Sequence, residues 1–358
     1  MPVQPSYNGR MNIHPVDQAN RAILTKQLLS KAMPPNSLGR LGSLSIELGL
    51  MGAYKLEKLT LLLFAADHGI VSEGVTHSAQ EITWQQCVNF ANGGGACALF
   101  SSLNQVDLTV IDVGVNHRFC PTDKVVDAKV AFGSQNFLRA PALEESACRK
   151  AIEEGRNAVL RARANGCDAI AFGEMGVGNT TSASAVAAAL LGLHPSLLTG
   201  KGSGLSDEEL EHKIGVIEQA LLLHPQRDPF SVLCNLGGYE SAAICGGLWQ
   251  AAELGLPILL DGFVVSSAAL VAARMEPDLA DYLIPCHRSA MSGHQLMLDA
   301  LGGKKPLLEL DMQLGEGTGA LAAWPLVRLA SHILPDMTSF SLAKVTDSTA
   351  VLQDLGLV

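Results

Sequence analysis

The chain has 358 residues, with 25 Lys and Arg against 35 Asp and Glu, a formal net charge of −10. Hydrophobic residues make up 48% and charged residues 17%, with 35 glycines. This composition excludes a disordered chain, and the acidic balance excludes a protein that grips nucleic acid by neutralising phosphates. One large domain with a smaller appendage is expected at this length. Low charge with high apolar content calls for extra buried surface, from a parallel sheet covered on both faces, an oligomer interface, or both.

The first 21 residues lack the apolar core of a signal peptide, and a cytoplasmic location is expected. The eight cysteines contain no Cys-x-x-Cys pair and no zinc spacing, and read as buried reduced thiols. Residues 17–33 read as an amphipathic helix stopped by Pro34-Pro35. A turn from Asn36 to Gly42 leads into a second helix. Residues 1–55 are therefore expected to contribute to a small helical domain, before a main α/β unit over 56–330 and a segment over 331–358 that returns to the small domain.

The first strand signal is the continuous apolar run Leu59–Ala66, which ends in Asp67-His68-Gly69. Further strands are expected at 106–115, 168–172, 257–260 and 282–285. Helical stretches fall at 144–164, 180–191, 206–222, 240–254 and 292–301. Apolar strands separated by helices indicate an α/β fold with a parallel sheet covered by helices. The apolar window 254–273 is too broken by Pro257, Asp261 and Gly262 to span a membrane. It reads as a short strand, a turn and a helix.

In such sheets ligands bind outside the carboxyl ends of the strands. Polar and glycine residues gather at those ends: Asp67-His68-Gly69, Gly173-Glu174, Asp261-Gly262 and His287-Arg288-Ser289. Gly173-Glu174-Met175-Gly176-Val177-Gly178-Asn179-Thr180-Thr181 follows a strand and opens an Ala-rich helix. Glycine amides, the helix N-terminus and threonine hydroxyls suit a phosphate, although a capped strand-to-helix turn has the same appearance. The segment is neither a Walker loop nor a full dinucleotide fingerprint. Lys201-Gly202-Ser203-Gly204 and Lys213 offer cations for an anion, while Lys213 alone also fits a solvated helix face.

Leu314-Gly315-Glu316-Gly317-Thr318-Gly319 sets a carboxylate among glycines before an apolar helix. Desolvation there would raise its pKa and make it a base near neutral pH; an acid placed for the helix dipole is the alternative. Glu174 is a second carboxylate in a glycine context. Ser78 and Gln86 offer neutral hydrogen bonds to a polar ring, or are ordinary loop and helix-surface residues. His68 beside Asp67 is the only hint of a metal ligand, without a third partner at suitable spacing.

Together these motifs resemble the nicotinate-nucleotide:5,6-dimethylbenzimidazole phosphoribosyltransferases. The matching segments are 34–41, Ala66-Asp67-His68-Gly69 with Glu73-Gly74-Val75, and Ile111-Asp112-Val113-Gly114. They continue with Gly173-Glu174-Met175-Gly176, Asn179-Thr180-Thr181, 259–263, 282–285 and 314–317, in the family's order. Asn36 and Ala79 depart from residues common in that family.

The resemblance implies a Rossmann-like parallel sheet, a small helical domain built from both chain ends, and a homodimer. The substrates implied are nicotinate mononucleotide and a benzimidazole base, with no cofactor and no metal. It also implies roles. Glu316 would be the catalytic base and Glu174 the second active-site carboxylate. Ser78, Gln86 and Met175 would form the base pocket. Gly176, Gly178, Asn179, Thr180 and Lys213 would surround the phosphate, with Gly202, Asp261, Gly262 and Ser289 completing the ribose and phosphate side. A dinucleotide-dependent oxidoreductase and a non-catalytic nucleotide carrier are the rival readings.

Overall fold

The computed structural model describes residues 11–202 and 204–347. Residues 1–10 and 348–358, the outer ends of both terminal assignments, and Ser203 of the glycine–lysine turn lie outside the described residues. The chain begins with α1 (Arg21–Leu29) and α2 (Gly39–Leu50). It then enters β1 (Leu59–Ala66), α3 (Ile82–Ala91), α4 (Gly95–Leu103), β2 (Asp107–Gly114) and the two-residue β3 (Val126–Asp127). The middle holds α5 (Glu145–Ala164), β4 (Ala169–Met175), α6 (Asn179–Leu191), α7 (Asp207–Leu223), α8 (Pro229–Leu236) and α9 (Tyr239–Glu253). Then come β5 (Ile258–Leu260), α10 (Phe263–Met275), β6 (Leu283–Pro285), α11 (His294–Ala300), α12 (Thr318–Asp336) and α13 (Phe340–Ala343).

The strands form one six-stranded sheet in the order β3-β2-β1-β4-β5-β6. Every pairing is parallel. This is the doubly wound order, in which the direction of winding reverses between β1 and β4. All eight residues of β1 are buried, as befits a central strand covered on both faces. One face packs on α5, α6, α9 and α10; the other packs on α2, α3, α4 and α12.

Helix α9 is buried at every residue from Tyr239 to Ala252, so its apolar character runs all round, as an interior helix requires. It lies close against α5 because each contributes a glycine. A Cβ at Gly155 would stand 1.8 Å from the Ala243 carbonyl, and one at Gly246 would stand 1.9 Å from the Ile152 carbonyl.

Helices α1 and α2 pack with the C-terminal part of α12 through Leu24, Ile46 and Leu334. Lys31 seals this junction, donating from Nζ to the carbonyls of Leu334 and Met337, both at 2.7 Å. The division drawn at 330/331 falls inside α12, one continuous helix.

The expected elements differ from those observed at several ends. The first helix occupies only Arg21–Leu29, because Lys31 leaves the helical path to bridge Ser339. Strand β4 runs on to Met175 rather than stopping at Phe172, since parallel pairing with β1 continues to Ala65 opposite Met175. Glu174 is therefore a strand residue, not a turn residue. Helices α4, α8 and α13 and strand β3 were not anticipated. The window 254–273 resolves into β5, the Asp261-Gly262 turn and α10 as expected. Among the described residues no helix is long and apolar enough to cross a membrane.

Candidate active site

A crevice opens outside the carboxyl ends of a doubly wound sheet where the strand order reverses. Here that point lies between the ends of β1 and β4, and a cavity of about 380 Å³ occupies it. Every residue assigned to the site from the sequence lines this cavity except Asp261.

Gly315, Glu316 and Gly317 run left-handed at φ +82°, +60° and +78°. This costs a glycine little, whereas Glu316 bears roughly 1–2 kcal/mol of strain. The surroundings hold it there. Asp261, buried at the end of β5, accepts the amides of Gly317 at 3.2 Å, Gly319 at 2.8 Å and Ala320 at 3.1 Å. Its carboxylate caps the first turn of α12 and fixes the Glu316 turn, a role the sequence did not suggest.

Glu316 is 7% exposed, and its Oε2 has no hydrogen-bond partner. Burial raises its pKa; the backbone N–H and thiol of Cys97, in the first turn of α4, work against that rise, and the Asp261 charge adds to it.

Glu174 meets Glu316 from β4. Its Oε1 accepts the Glu316 amide at 3.4 Å, and its Oε2 accepts from Asn179 Nδ2. Burial drives its pKa well above the carboxylate range, with the charges of Asp261, Glu240 and Glu316 reinforcing the shift. Two neighbouring carboxyls in a dry site do not both ionise readily. Burial raises both carboxyl pKa values, and each charge adds to the cost of ionising the other group.

The start of α6, beside this pair, is built for an anion. Helix α6 starts at Asn179, behind a left-handed Gly178 at φ +93°. Gly176 packs so closely on the end of β1 that a Cβ there would lie 2.3 Å from the Ala66 carbonyl. Lys213 of α7 is 2% exposed and donates from Nζ to Thr180 Oγ1 at 3.1 Å. Burial pulls its pKa down to about 8. Among the described residues no carboxylate pairs with it, so the ammonium and the α6 N-terminus together present unneutralised positive charge. Lys201, by contrast, pairs with Asp207 at 2.7 Å near the surface.

Ser78, Gln86 and Met175 line the same cavity, as do the apolar Val75, Ile82 and Leu314. Ser289 is set by His294: its amide donates to His294 Nδ1 at 2.8 Å, and His294 Nε2 meets Ser266 Oγ at 3.0 Å. Burial lowers the His294 pKa to about 3, so the ring is a neutral spacer.

His287 and Gln313 also line the cavity and were not singled out. His287 belonged to a polar cluster visible at a strand end. Its ring lies so close to α12 that a Cβ at Gly319 would stand 1.9 Å from its Cδ2, a contact no spacing reveals. His68 was read as a metal candidate with Asp67; its Nε2 instead lies 2.9 Å from Glu240 Oε1. Among the described residues no group of three metal-ligating side chains is assembled.

The phosphoribosyltransferase family model matches residues 13–345. A nicotinate-nucleotide–dimethylbenzimidazole phosphoribosyltransferase of Dechloromonas aromatica (strain RCB) is 40% identical over 338 residues, covering 92% of this chain and 97% of the relative. One of the same name from Pseudomonas fluorescens is 42% identical over 335 residues, covering 92% and 95%. The crystal structure of CobT from Thermus thermophilus superposes with a TM-score of 0.88 at 39% identity, covering 91% of this chain and 98% of that one.

Proposed function

The chain belongs to the nicotinate-nucleotide–dimethylbenzimidazole phosphoribosyltransferase family, and we propose that it moves the phosphoribosyl group of nicotinate mononucleotide onto 5,6-dimethylbenzimidazole or a related base. The products are α-ribazole 5′-phosphate and nicotinate, and the step belongs to assembly of the cobalamin nucleotide loop. One observation carries this reading: a single cavity is lined both by a desolvated carboxylate, Glu316, and by an unneutralised lysine, Lys213, beside a helix N-terminus.

The chemistry uses both groups. The pyridine nitrogen of the donor is quaternary and cationic. It takes the electron pair of its bond to ribose C1′ and leaves as a neutral ring, so no general acid is needed. One benzimidazole nitrogen attacks C1′ from the opposite face and inverts the β-linkage to α. The other nitrogen sheds its proton to Glu316, whose unpaired Oε2 is free to accept it. Because no diphosphate departs, the chemistry makes no demand for a metal.

Glu174 holds the Glu316 backbone through the Glu316 amide and so helps to place the base. Asp261 acts on the same turn through the α12 amides. Gly176, Gly178, Asn179, Thr180 and Lys213 position the phosphate and hold C1′ for attack, with Gly202, Gly262 and Ser289 beside the ribose. Ser78, Gln86 and Met175 flank the acceptor ring. A homodimer and a cytoplasmic location are part of the same proposal.

The test incubates the protein with nicotinate mononucleotide and a panel of benzimidazoles, purines and phenols, and identifies products by chromatography. Release of nicotinate with an α-linked ribotide is expected. Glu316→Gln should retain donor binding and lose roughly 10²–10⁴-fold in turnover, the usual contribution of a general base. Near-normal turnover in that variant removes Glu316 from the role. Donor binding without any transfer in the wild type would favour the carrier reading.

A further inference from the structure

The transfer chemistry leaves one buried ion pair without a task. His68 follows directly on β1 and is 1% exposed; its Nε2 lies 2.9 Å from Oε1 of Glu240, which is 0% exposed. Glu240 stands in the first turn of α9, where the helix dipole favours a carboxylate. Its second oxygen, Oε2, has no hydrogen-bond partner. A carboxylate this deep is tolerable only beside a cation, and the imidazolium of His68 is the group placed to supply it. Burial opposes that charge, but the Glu240 charge and hydrogen bond, with Asp67 behind them, leave the His68 pKa raised.

The position of the ring gives the pair a direction. A Cβ at Gly176 would lie 3.3 Å from His68 Cδ2 and 3.4 Å from its Nε2, and one at Gly178 would lie 3.3 Å from His68 Cβ. A Cβ at Gly238 would meet both Glu240 oxygens and, at 2.4 Å, His68 Cε1. The imidazole therefore packs against the Gly176-Val177-Gly178 turn while its Nε2 meets the carboxylate. The His68 carbonyl also accepts Gln80 Nε2 at 3.2 Å, tying the same residue to the loop that carries Ser78.

We propose that His68 is a positioning residue for the donor's phosphate: tied to Glu240, its ring supports the Gly176-Val177-Gly178 turn from beneath and fixes the backbone that the turn offers to the anion. The inference rests on the phosphoribosyl reading of the cavity. It accounts for glycine at position 238, where a Cβ would collide with the Glu240 oxygens and the His68 ring together.

The test compares two donors that differ only by the phosphate. Nicotinate mononucleotide and nicotinate riboside are titrated calorimetrically, without acceptor, into the wild type, His68→Gln, Glu240→Gln and the double variant. Each single variant should bind the mononucleotide roughly tenfold more weakly, the scale of one charge-assisted contact, and the riboside within about twofold. The double variant should add little, because the two residues act as one unit. Equal losses for both donors, or no loss, in variants that melt as the wild type does would overturn the proposal.

Should a variant fail to fold, ¹⁵N-histidine NMR of the wild type decides. A buried imidazolium at neutral pH that shifts on adding mononucleotide but not riboside is expected; a neutral ring overturns the inference. A wild type that binds both donors yet transfers nothing refutes only the transferase reading. A wild type that binds no mononucleotide refutes both.

Discussion

Lys213 carries its ammonium into the protein with one hydroxyl for company, and that cost has a purpose only when an anion arrives. With a folded-state pKa near 8 against 10.5 in the open chain, the folded protein binds fewer protons than the unfolded one between those values. The sign follows: the penalty, about 3 kcal/mol, is fully present below pH about 8. It is relieved as pH rises toward 10.5, so this residue makes the unliganded protein more stable in alkali. A bound phosphate reverses the logic, because it favours the charged form; donor KM should rise as pH passes about 8. Lys213→Met removes the unpaired charge and keeps the bulk. Thermal melts at neutral pH should show a higher Tm for the variant without donor, while kinetics show donor KM raised tenfold or more. A variant that is no more stable and binds donor normally would show that the ammonium is not held in reserve for an anion. In the sequence, Lys213 looked like a surface helix lysine, since burial of one side of α7 depends on where α6 lies. Glu316 and Glu174 were legible because glycines bracket them, and glycine next to a lone carboxylate is a local signal. His68 was visible and its metal role set aside, but its partner was not legible, because Glu240 lies far along the chain.

At the scale of elements, the base is held by a helix start rather than by its own contacts. Three amides of α12 point at Asp261, and the left-handed Glu316 sits immediately before them. Asp261→Asn keeps the shape but replaces one carboxylate oxygen by an amide nitrogen, which cannot accept from a backbone N–H. The turn should loosen while the sheet stays intact. Steady-state kinetics should show kcat reduced about tenfold or more with donor KM changed little, the signature of a misplaced catalytic group rather than a lost contact. A rise in donor KM at unchanged kcat would mean that Asp261 touches the ribose after all, as the sequence suggested. The sequence alone does not separate these two roles. An acid at a strand end has the same local appearance whether it faces a ligand or caps a helix that arrives later in the chain. The long elements were legible because apolar runs and helical periods are local. The short α8 and β3 were not: α8 is eight residues and β3 two, and neither carries a full period of its own.

For the whole molecule, the parallel sheet explains both the apolar composition and the place of the site. The interior helices α9 and α10 absorb the excess of apolar residues, since nearly all of their residues are buried. The reversal between β1 and β4 brings residues from 68, 174, 213 and 316 into one neighbourhood. The strand-and-helix alternation made the parallel sheet legible; the order of its strands was not, because pairing between β1 and β4 joins segments a hundred residues apart. The net charge of −10 then bears on binding. Among the described residues proposed for the phosphate, positive charge comes from the buried Lys213 and the α6 N-terminus. These groups lie in the interior, where salt screens poorly, and they receive a single phosphate. Donor KM should therefore change by less than about threefold between about 50 and 200 mM salt, whereas a protein that contacts many phosphates loses roughly 10³–10⁵ in affinity over that range. Initial-rate measurements in potassium chloride check it. A steep salt dependence would mean that surface cations such as Lys201, rather than the buried set, carry the phosphate.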